Sequence, residues 1–203
     1  MTKRGLKEFL AIIARNRTLL KVLKSSAATI YPQPWCVFGG SVYQTVWNAS
    51  EKERPEHNID DYDIAYFDRR ATVGQQREHE ARISKLVPHA KVQVRNQALI
   101  TDAWWMRRFK RKKDTPKHLS LEDSIAKGSL SLPIIGIAFK NDELQVLELS
   151  DDLDKLLTLE IYPNVKFRPQ SAFVFGRYRA KCKTWHDKWP NVKYFGTDRK
   201  LMF

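Results

Sequence analysis

Two short segments of this 203-residue chain carry residue types that suit a phosphate group and a metal ion. The first, Gly39-Gly40-Ser41, joins an apolar run at residues 35–38 to a helix-like stretch that ends at Asn48. Glycine lets the backbone approach a phosphate closely, and the first N–H groups of a helix donate hydrogen bonds to it. The turn and the Ser41 hydroxyl therefore predict a phosphate-binding element.

The second segment, Asp61-Tyr62-Asp63, opens another apolar run that continues to Phe67. Residues two apart in a strand face the same side, so Asp61 and Asp63 should project together while Tyr62 points away. Mg²⁺ prefers oxygen ligands and keeps several waters, so two or three carboxylates can hold it. Together the two segments predict a site for a metal-bound nucleoside triphosphate.

Nucleotidyl transfer is a reaction that needs such groups. Attack on the α-phosphate builds charge on the phosphoryl oxygens and on the leaving pyrophosphate. A protein promotes this reaction by positioning the reactants and neutralising that charge, usually with two Mg²⁺ ions. A glycine turn or a pair of aspartates is common by itself, so the prediction rests on finding both at strand ends of one α/β unit.

Composition narrows the class of protein. The net charge of +13 favours polyanionic partners such as nucleic acid, nucleotides or acidic membranes, although a basic surface can also serve solubility alone. No apolar run approaches the roughly 20 residues that cross a bilayer. Cys36 and Cys182 form no CxxC pair, which argues against a disulfide framework or a structural zinc site. We therefore expect a soluble, cytoplasmic protein that has no membrane partner.

The pattern of apolar residues predicts alternating helices and strands. The first half indicates strands at 35–38, 61–67 and 92–94, and helices at 5–24, 41–49, 71–86 and 96–109. The second half indicates a helix capped by Ser120, a hairpin of strands 134–139 and 144–149 around Asn141-Asp142, and helices at 151–157 and 170–187. We predict three parts: an N-terminal helix in 1–30, a core in 31–115 and a C-terminal lobe in 116–203.

The chain resembles the nucleotidyltransferase superfamily typified by DNA polymerase β, and more closely a little-studied bacterial nucleotidyltransferase-like family within it. The resemblance covers roughly residues 25–194, and its most specific pieces are Thr45-Val46-Trp47-Asn48 and Asn96-Gln97-Ala98. It is also carried by Phe38 to Gln44, Asp61 to Asp68, Val94-Arg95, Lys183-Thr184-Trp185 and Trp189-Pro190. It implies an α/β (α+β) fold with a mixed β-sheet flanked by helices and a small C-terminal α/β extension.

The resemblance also implies roles for individual residues. Gly39, Gly40 and Ser41 would grip the triphosphate, while Asp61 and Asp63 would be the catalytic ligands of Mg²⁺ or Mn²⁺. The superfamily uses a third acid on a neighbouring strand, and the matching position here is Gln93. A glutamine carbonyl can ligate a cation, but it brings no negative charge and cannot act as a base, so we expect weaker occupancy of the metal site nearest the nucleophile. The candidate replacements for the missing acid are Asp60 and Asp102.

Basic residues supply further candidates for phosphate or nucleic-acid contacts. One cluster contains Arg107, Arg108, Lys110 and Arg111 and follows Trp104-Trp105. Cations mixed with aromatic rings suit a phosphate backbone with stacked bases, although the tryptophans alternatively belong to the core. A second set, Arg177, Arg179, Lys181 and Lys183, alternates within a predicted helix, where residues two apart do not share a face. The resemblance places Lys183 in a recurring Lys-x-Trp context, which leaves a phosphate contact and a structural ion pair both open.

These observations support three hypotheses about function. The first is a Mg²⁺-dependent nucleotidyltransferase that transfers a nucleoside monophosphate from an NTP to an acceptor, with RNA, protein and small molecules all open. The second, which Gln93 motivates, is a catalytically weakened relative that binds nucleotide or nucleic acid without turnover. The third is a scaffold whose basic surface engages a protein partner. The sequence does not indicate an oligomeric state.

Overall fold

The computed structural model of the protein describes residues 3–100, 118–128, 131–148, 153–164 and 172–203. In these ranges the helices are α1 Lys3–Ile13, α2 Arg17–Ile30, α3 Gly40–Ser50, α4 Val73–Leu86, α5 Leu121–Gly128, α6 Leu153–Leu157 and α7 Ala172–His186. The strands are β1 Trp35–Phe38, β2 Tyr62–Tyr66, β3 Val92–Asn96, β4 Ser131–Leu132, β5 Ile135–Lys140, β6 Glu143–Glu148, β7 Glu160–Pro163 and β8 Lys193–Tyr194. No helix within these ranges combines the length and apolar character needed to cross a membrane.

The N-terminal residues form two helices where the sequence predicts a single helix over 5–24. Helix α1 ends at Ile13, and α2 begins at Arg17. Asn16 caps α2, because its side-chain oxygen accepts a hydrogen bond from the Leu19 backbone N–H at 2.8 Å. The single-helix prediction was wrong because the apolar spacing continues across the break, whereas asparagine strongly favours the N-cap position.

A mixed five-stranded sheet, in the order β3-β2-β1-β5-β6, forms the centre of the fold. Strands β2 and β3 are parallel, whereas β1 is antiparallel to both β2 and β5. Strands β5 and β6 form the predicted hairpin, and its turn residues Asn141 and Asp142 have φ of 52° and 60°. Positive φ at both central residues is what a tight hairpin turn requires. The prediction of a mixed sheet flanked by helices is confirmed.

A smaller sheet, in the order β4-β7-β8, lies in the C-terminal half of the chain. Tyr178 on α7 fastens that helix to this sheet, since its hydroxyl lies 3.2 Å from the carbonyl oxygen of Ile161 and 2.9 Å from that of Phe195. The lobe boundary that the sequence predicts near 110–120 lies mostly outside the described residues. Strands from both sides of it share the central sheet, because β5 pairs directly with β1.

Helix α3 is buried from Ser41 to Asn48 and anchors the aromatic core. The Trp47 side chain is fully buried, and its ring centroid lies 5.1 Å from that of Trp185 and 5.2 Å from that of Trp189. Trp185 belongs to α7 and Trp189 to the turn that follows it. This aromatic cluster therefore joins α3 to the C-terminal part of the chain.

Asn48 completes this connection with three hydrogen bonds from a fully buried side chain. Its Oδ1 accepts from Trp189 Nε1 at 2.8 Å, across 141 positions of sequence. Its Nδ2 lies 2.7 Å from the carbonyl oxygen of His57 and 3.1 Å from that of Pro55. The loop that these contacts hold leads directly to Asp61, so Asn48 helps to position the chain that enters β2.

We expect Asn48→Ala to lower the free energy of unfolding by about 2–3 kcal/mol, because it leaves the buried Trp189 N–H without its acceptor. Urea denaturation followed by circular dichroism measures the change. The matched control is Asn191→Ala, where an exposed amide bonds Glu51 at 2.7 Å. Asn191→Ala should lower the free energy of unfolding by about 0.5 kcal/mol or less. Equal losses in the two variants would contradict a buried structural role for Asn48.

Candidate active site

The glycine turn and the aspartates meet where β1 ends and β2 begins. Phe38, the last residue of β1, pairs with Asp63, the second residue of β2. Gly39 follows directly, and a Cβ placed on it would lie 3.8 Å from Asp63 Oδ2. The antiparallel pairing of the two strands therefore brings the predicted phosphate element against one of the predicted metal ligands.

Gln93 lies beside the same two aspartates. In the parallel pair of β2 and β3 its Cα is opposite that of Asp63. Its Nε2 donates a hydrogen bond of 2.7 Å to Asp61 Oδ2, and all three side chains are half-buried. The position that the resemblance matches to a third acid thus holds an amide, and this amide donates a hydrogen bond to Asp61.

Helix α7 adds a cation that the sequence analysis did not single out. Burial lowers the pKa of the Lys181 ammonium, and the charges of Asp63 and Asp61 oppose that effect. Lys181 as a whole remains accessible to water, and its Nζ lies 4.5 Å from the centroid of the Trp185 ring. That distance is within the range of a cation–π contact. The i, i+4 spacing of Lys181 and Trp185 is the sequence signal that would have favoured Lys181 over Lys183.

The turn itself is built around an unusual backbone and a buried hydroxyl. Gly39 has φ of +78°, which residues with a side chain rarely adopt. Ser41, in the first turn of α3, is only 1% exposed, and its hydroxyl has no hydrogen-bond partner among the described residues. A buried polar group without a partner costs free energy, so an acceptor oxygen from a ligand would stabilise this hydroxyl.

Several predicted residues lie outside the described part of the chain, namely Asp102, Arg107, Arg108, Lys110 and Arg111. Lys183 is exposed on α7, two residues from Lys181 and therefore on a different face of the helix. Its predicted phosphate contact stays a prediction. Asp60 is exposed, and its Oδ2 lies 3.6 Å from Lys188 Nζ. It therefore forms a surface ion pair next to the candidate site.

The donor atoms present suit one hard cation. Asp61 and Asp63 offer carboxylate oxygens, the ligand type that Mg²⁺ prefers, and Mg²⁺ commonly takes its remaining ligands from water and substrate phosphates. Within the described ranges, no group of three or more His, Cys, Asp or Glu side chains is placed to hold a metal ion. The residues therefore fit a magnesium ion that is completed by a nucleotide better than a cage made only of protein groups.

We expect Gly39→Ala to lower the free energy of unfolding by about 1–2 kcal/mol, because a Cβ disfavours positive φ. The matched control is Gly74→Ala near the start of α4, where a Cβ would make an ordinary 3.5 Å contact with Thr72 Oγ1. Alanine is the better helix former by about 1 kcal/mol, so this control should be neutral or stabilising. Thermal denaturation of both variants provides the comparison. A neutral Gly39→Ala would show that the turn relaxes freely.

Comparison with known proteins identifies the family of the chain and a solved structure of similar fold. A family model described as nucleotidyltransferase matches residues 26–194. No curated protein is significantly similar to the chain. A solved NMR structure, described as revealing a CCA-adding enzyme head domain, matches with a TM-score of 0.72 over 94% of this chain and 96% of that chain, at 17% identity. That likeness shows the shared fold. The family match, which covers most of the chain, shows that the chain belongs to this nucleotidyltransferase family.

Proposed function

We propose that this protein is a Mg²⁺-dependent enzyme that transfers a nucleoside monophosphate from an NTP to an acceptor. The observation that carries the proposal is the convergence of Asp61 and Asp63 with the turn at Gly39. Asp63 Oδ2 lies 3.8 Å from the position that a Cβ on Gly39 would take. Asp61 accepts a hydrogen bond from Gln93, whose Cα is opposite that of Asp63 in the pairing of β2 with β3. Carboxylates beside a helix N-terminus can hold a cation and a polyphosphate at the same time.

In this reaction an acceptor oxygen bonds to the α-phosphorus, the bond to the bridging oxygen of the β-phosphate breaks, and pyrophosphate leaves. Asp61 and Asp63 would hold Mg²⁺, which when bound neutralises charge on the phosphate oxygens. The Gly39–Ser41 turn would orient the triphosphate through backbone N–H groups and the Ser41 hydroxyl. Gln93 cannot accept the acceptor's proton, so that role would fall to Asp61, the carboxylate that Gln93 contacts.

An RNA acceptor is the version of this proposal that the charge favours. The net charge of +13 creates a field that attracts polyanions. Lys181 also interacts electrostatically with Asp63 and Asp61, so it adds a positive charge that would attract a phosphate. A protein or small-molecule acceptor would gain less from such a field.

The test is incubation of the protein with labelled NTPs, Mg²⁺ or Mn²⁺ and total RNA. We expect label to appear in the RNA with the wild-type protein and to be absent with the double variant Asp61→Ala/Asp63→Ala. Replacing the RNA by protein extract or small-molecule extract identifies another acceptor class. Transfer no higher than that of the double variant in every mixture would reject the enzymatic function.

A second candidate function follows from the contact between Gln93 and Asp61. An amide at the third-acid position favours a protein that binds nucleotide or nucleic acid without turnover. Gln93→Glu separates the two functions, because it restores a carboxylate at that position. An inert wild type with an active variant would support the binding function, whereas an active wild type that the substitution barely changes would remove this objection to catalysis.

A further inference from the structure

The candidate site contains two groups that oppose a second divalent cation. Asp61 Oδ2 already accepts a 2.7 Å hydrogen bond from Gln93 Nε2. A hydrogen-bond donor presents a positive hydrogen to the carboxylate, whereas a further metal ligand would present a lone pair to the ion. In this orientation Gln93 presents its donor nitrogen, and not its carbonyl oxygen, to the space beside Asp61, which is the wrong polarity for a second metal ion.

Lys181 supplies the second opposing group. Its Nζ is held over the Trp185 ring, 4.5 Å from the ring centroid, and from there the ammonium interacts electrostatically with Asp63 and Asp61. Its position is fixed by α7, whose neighbouring residues Tyr178, Cys182 and Trp185 are buried. This ammonium offsets part of the negative charge of the two carboxylates, and Arg177 adds a further positive charge that acts on Lys181. The site therefore attracts a second divalent ion less strongly than two bare carboxylates would.

We propose that the site binds one divalent cation together with the nucleotide, and that the Gln93 amide and the Lys181 ammonium take the position and part of the charge of a second cation. This inference rests on the proposed function, because it concerns the same nucleotide site. It departs from the two-ion arrangement that nucleotidyl transfer usually employs. Lys181 then stabilises negative charge that a second ion would otherwise neutralise.

Counting bound Mn²⁺ tests the inference without relying on turnover. The protein is equilibrated with Mn²⁺ and a labelled non-hydrolysable NTP analogue, free Mn²⁺ is measured by electron paramagnetic resonance, and bound nucleotide is measured by equilibrium dialysis. We expect one protein-dependent Mn²⁺ per bound nucleotide for the wild type. The double variant Gln93→Glu/Lys181→Met should bind two.

Single substitutions of Lys181 measure its own contribution in the absence of nucleotide. Lys181→Met should bind Mn²⁺ about tenfold more tightly, because a like charge beside the ion has been removed. Lys181→Arg keeps the charge and should resemble the wild type. The matched control Arg179→Met removes an exposed cation on another face of α7, and it should change the affinity less than about threefold because exposed charges are screened.

The outcomes distinguish this inference from the proposed function. Two Mn²⁺ per nucleotide in the wild type would overturn the inference and leave the proposed function intact. Equal Mn²⁺ affinities for Lys181→Met and Arg179→Met would overturn the role of Lys181. Absence of nucleotide binding with Mn²⁺ would overturn both the inference and the proposed function. The wild-type count needs no substitution, so a variant that misfolds does not remove the test.

Discussion

Asp63→Asn should lower the rate of nucleotide transfer by about 10²–10³-fold, the range seen when one electrostatic stabiliser is removed from an active site. The substitution keeps the shape of the side chain and removes its charge. Asp63 lies between its strand partners Phe38 and Gln93 and next to Gly39, so no other described carboxylate occupies this position. Single-turnover assays with labelled NTP measure the chemical step directly.

The matched control for this prediction is Asp60→Asn. Asp60 lies three residues before Asp63 in the sequence. Asp63 is half-buried, whereas Asp60 is exposed and its Oδ2 lies 3.6 Å from Lys188 Nζ. Removing a surface ion pair lowers the free energy of unfolding by only about 0–1 kcal/mol. Asp60→Asn therefore leaves the protein folded, and the rate of transfer should change only a few-fold. If Asp63→Asn retained the activity of Asp60→Asn, Asp63 would not be a metal ligand.

Trp47→Ala should lower the free energy of unfolding by about 3–5 kcal/mol, the cost of emptying a large buried aromatic site. Trp47 contacts rings from three separate segments, with centroids 6.0 Å away at Tyr43, 5.1 Å at Trp185 and 5.2 Å at Trp189. These neighbours cannot all move inward to fill the cavity, because each is held by its own backbone element. Urea denaturation followed by far-ultraviolet circular dichroism gives the value, since the tryptophan fluorescence itself changes.

The matched control for Trp47→Ala is Leu86→Ala at the end of α4. Leu86 is 59% exposed, so its truncation should change stability by about 0.5 kcal/mol or less. We also expect Trp47→Ala to weaken nucleotide binding in proportion to the unfolded fraction only, since Trp47 is fully buried. A loss of less than about 1 kcal/mol in Trp47→Ala would mean that the cluster repacks.

Local patterns predicted much of the fold. Strand β1 covers the predicted residues 35–38, and the prediction of α3 and of the hairpin at Asn141-Asp142 differs from the structure only at the ends. Each of these elements has a strong local cause, either an apolar run or a turn that needs positive φ. The short strands β4, β7 and β8 were not predicted, because none of them carries an apolar run like that of β1 and each is stabilised by pairing with residues distant in the sequence.

The candidate site was predicted in part, for a similar reason. Asp61, Asp63 and the Gly39 turn carry local signals, and strand periodicity predicts that the two aspartates share one face. The local signal at Lys181, its i, i+4 spacing to Trp185, does not point to the aspartates, because α7 is more than 100 residues away from them in the sequence. The hydrogen bond from Gln93 to Asp61 likewise depends on the register of β2 and β3, which local sequence patterns do not predict.

The motif pieces that carry the family resemblance turn out to include structural residues. Asn48 bonds Trp189, and Asn96 accepts a hydrogen bond from the Asp68 N–H at 3.0 Å while donating one to the Asp68 carbonyl at 2.7 Å. None of these bonds joins either asparagine to Asp61 or Asp63. Part of the resemblance therefore reflects how the fold is held together, and a match to these pieces is evidence for the fold more than for turnover.

The long-range bond between Asn48 and Trp189 has a consequence for how the chain folds during synthesis. A ribosome completes the first half of the protein well before Trp185, Trp189 and Tyr194 leave its exit tunnel. Until then the nascent chain must carry Trp47 uncovered, with the helix behind the glycine turn only partly packed. We therefore expect translation intermediates that stop short of Trp189 to be held by chaperones and to lack a finished nucleotide pocket.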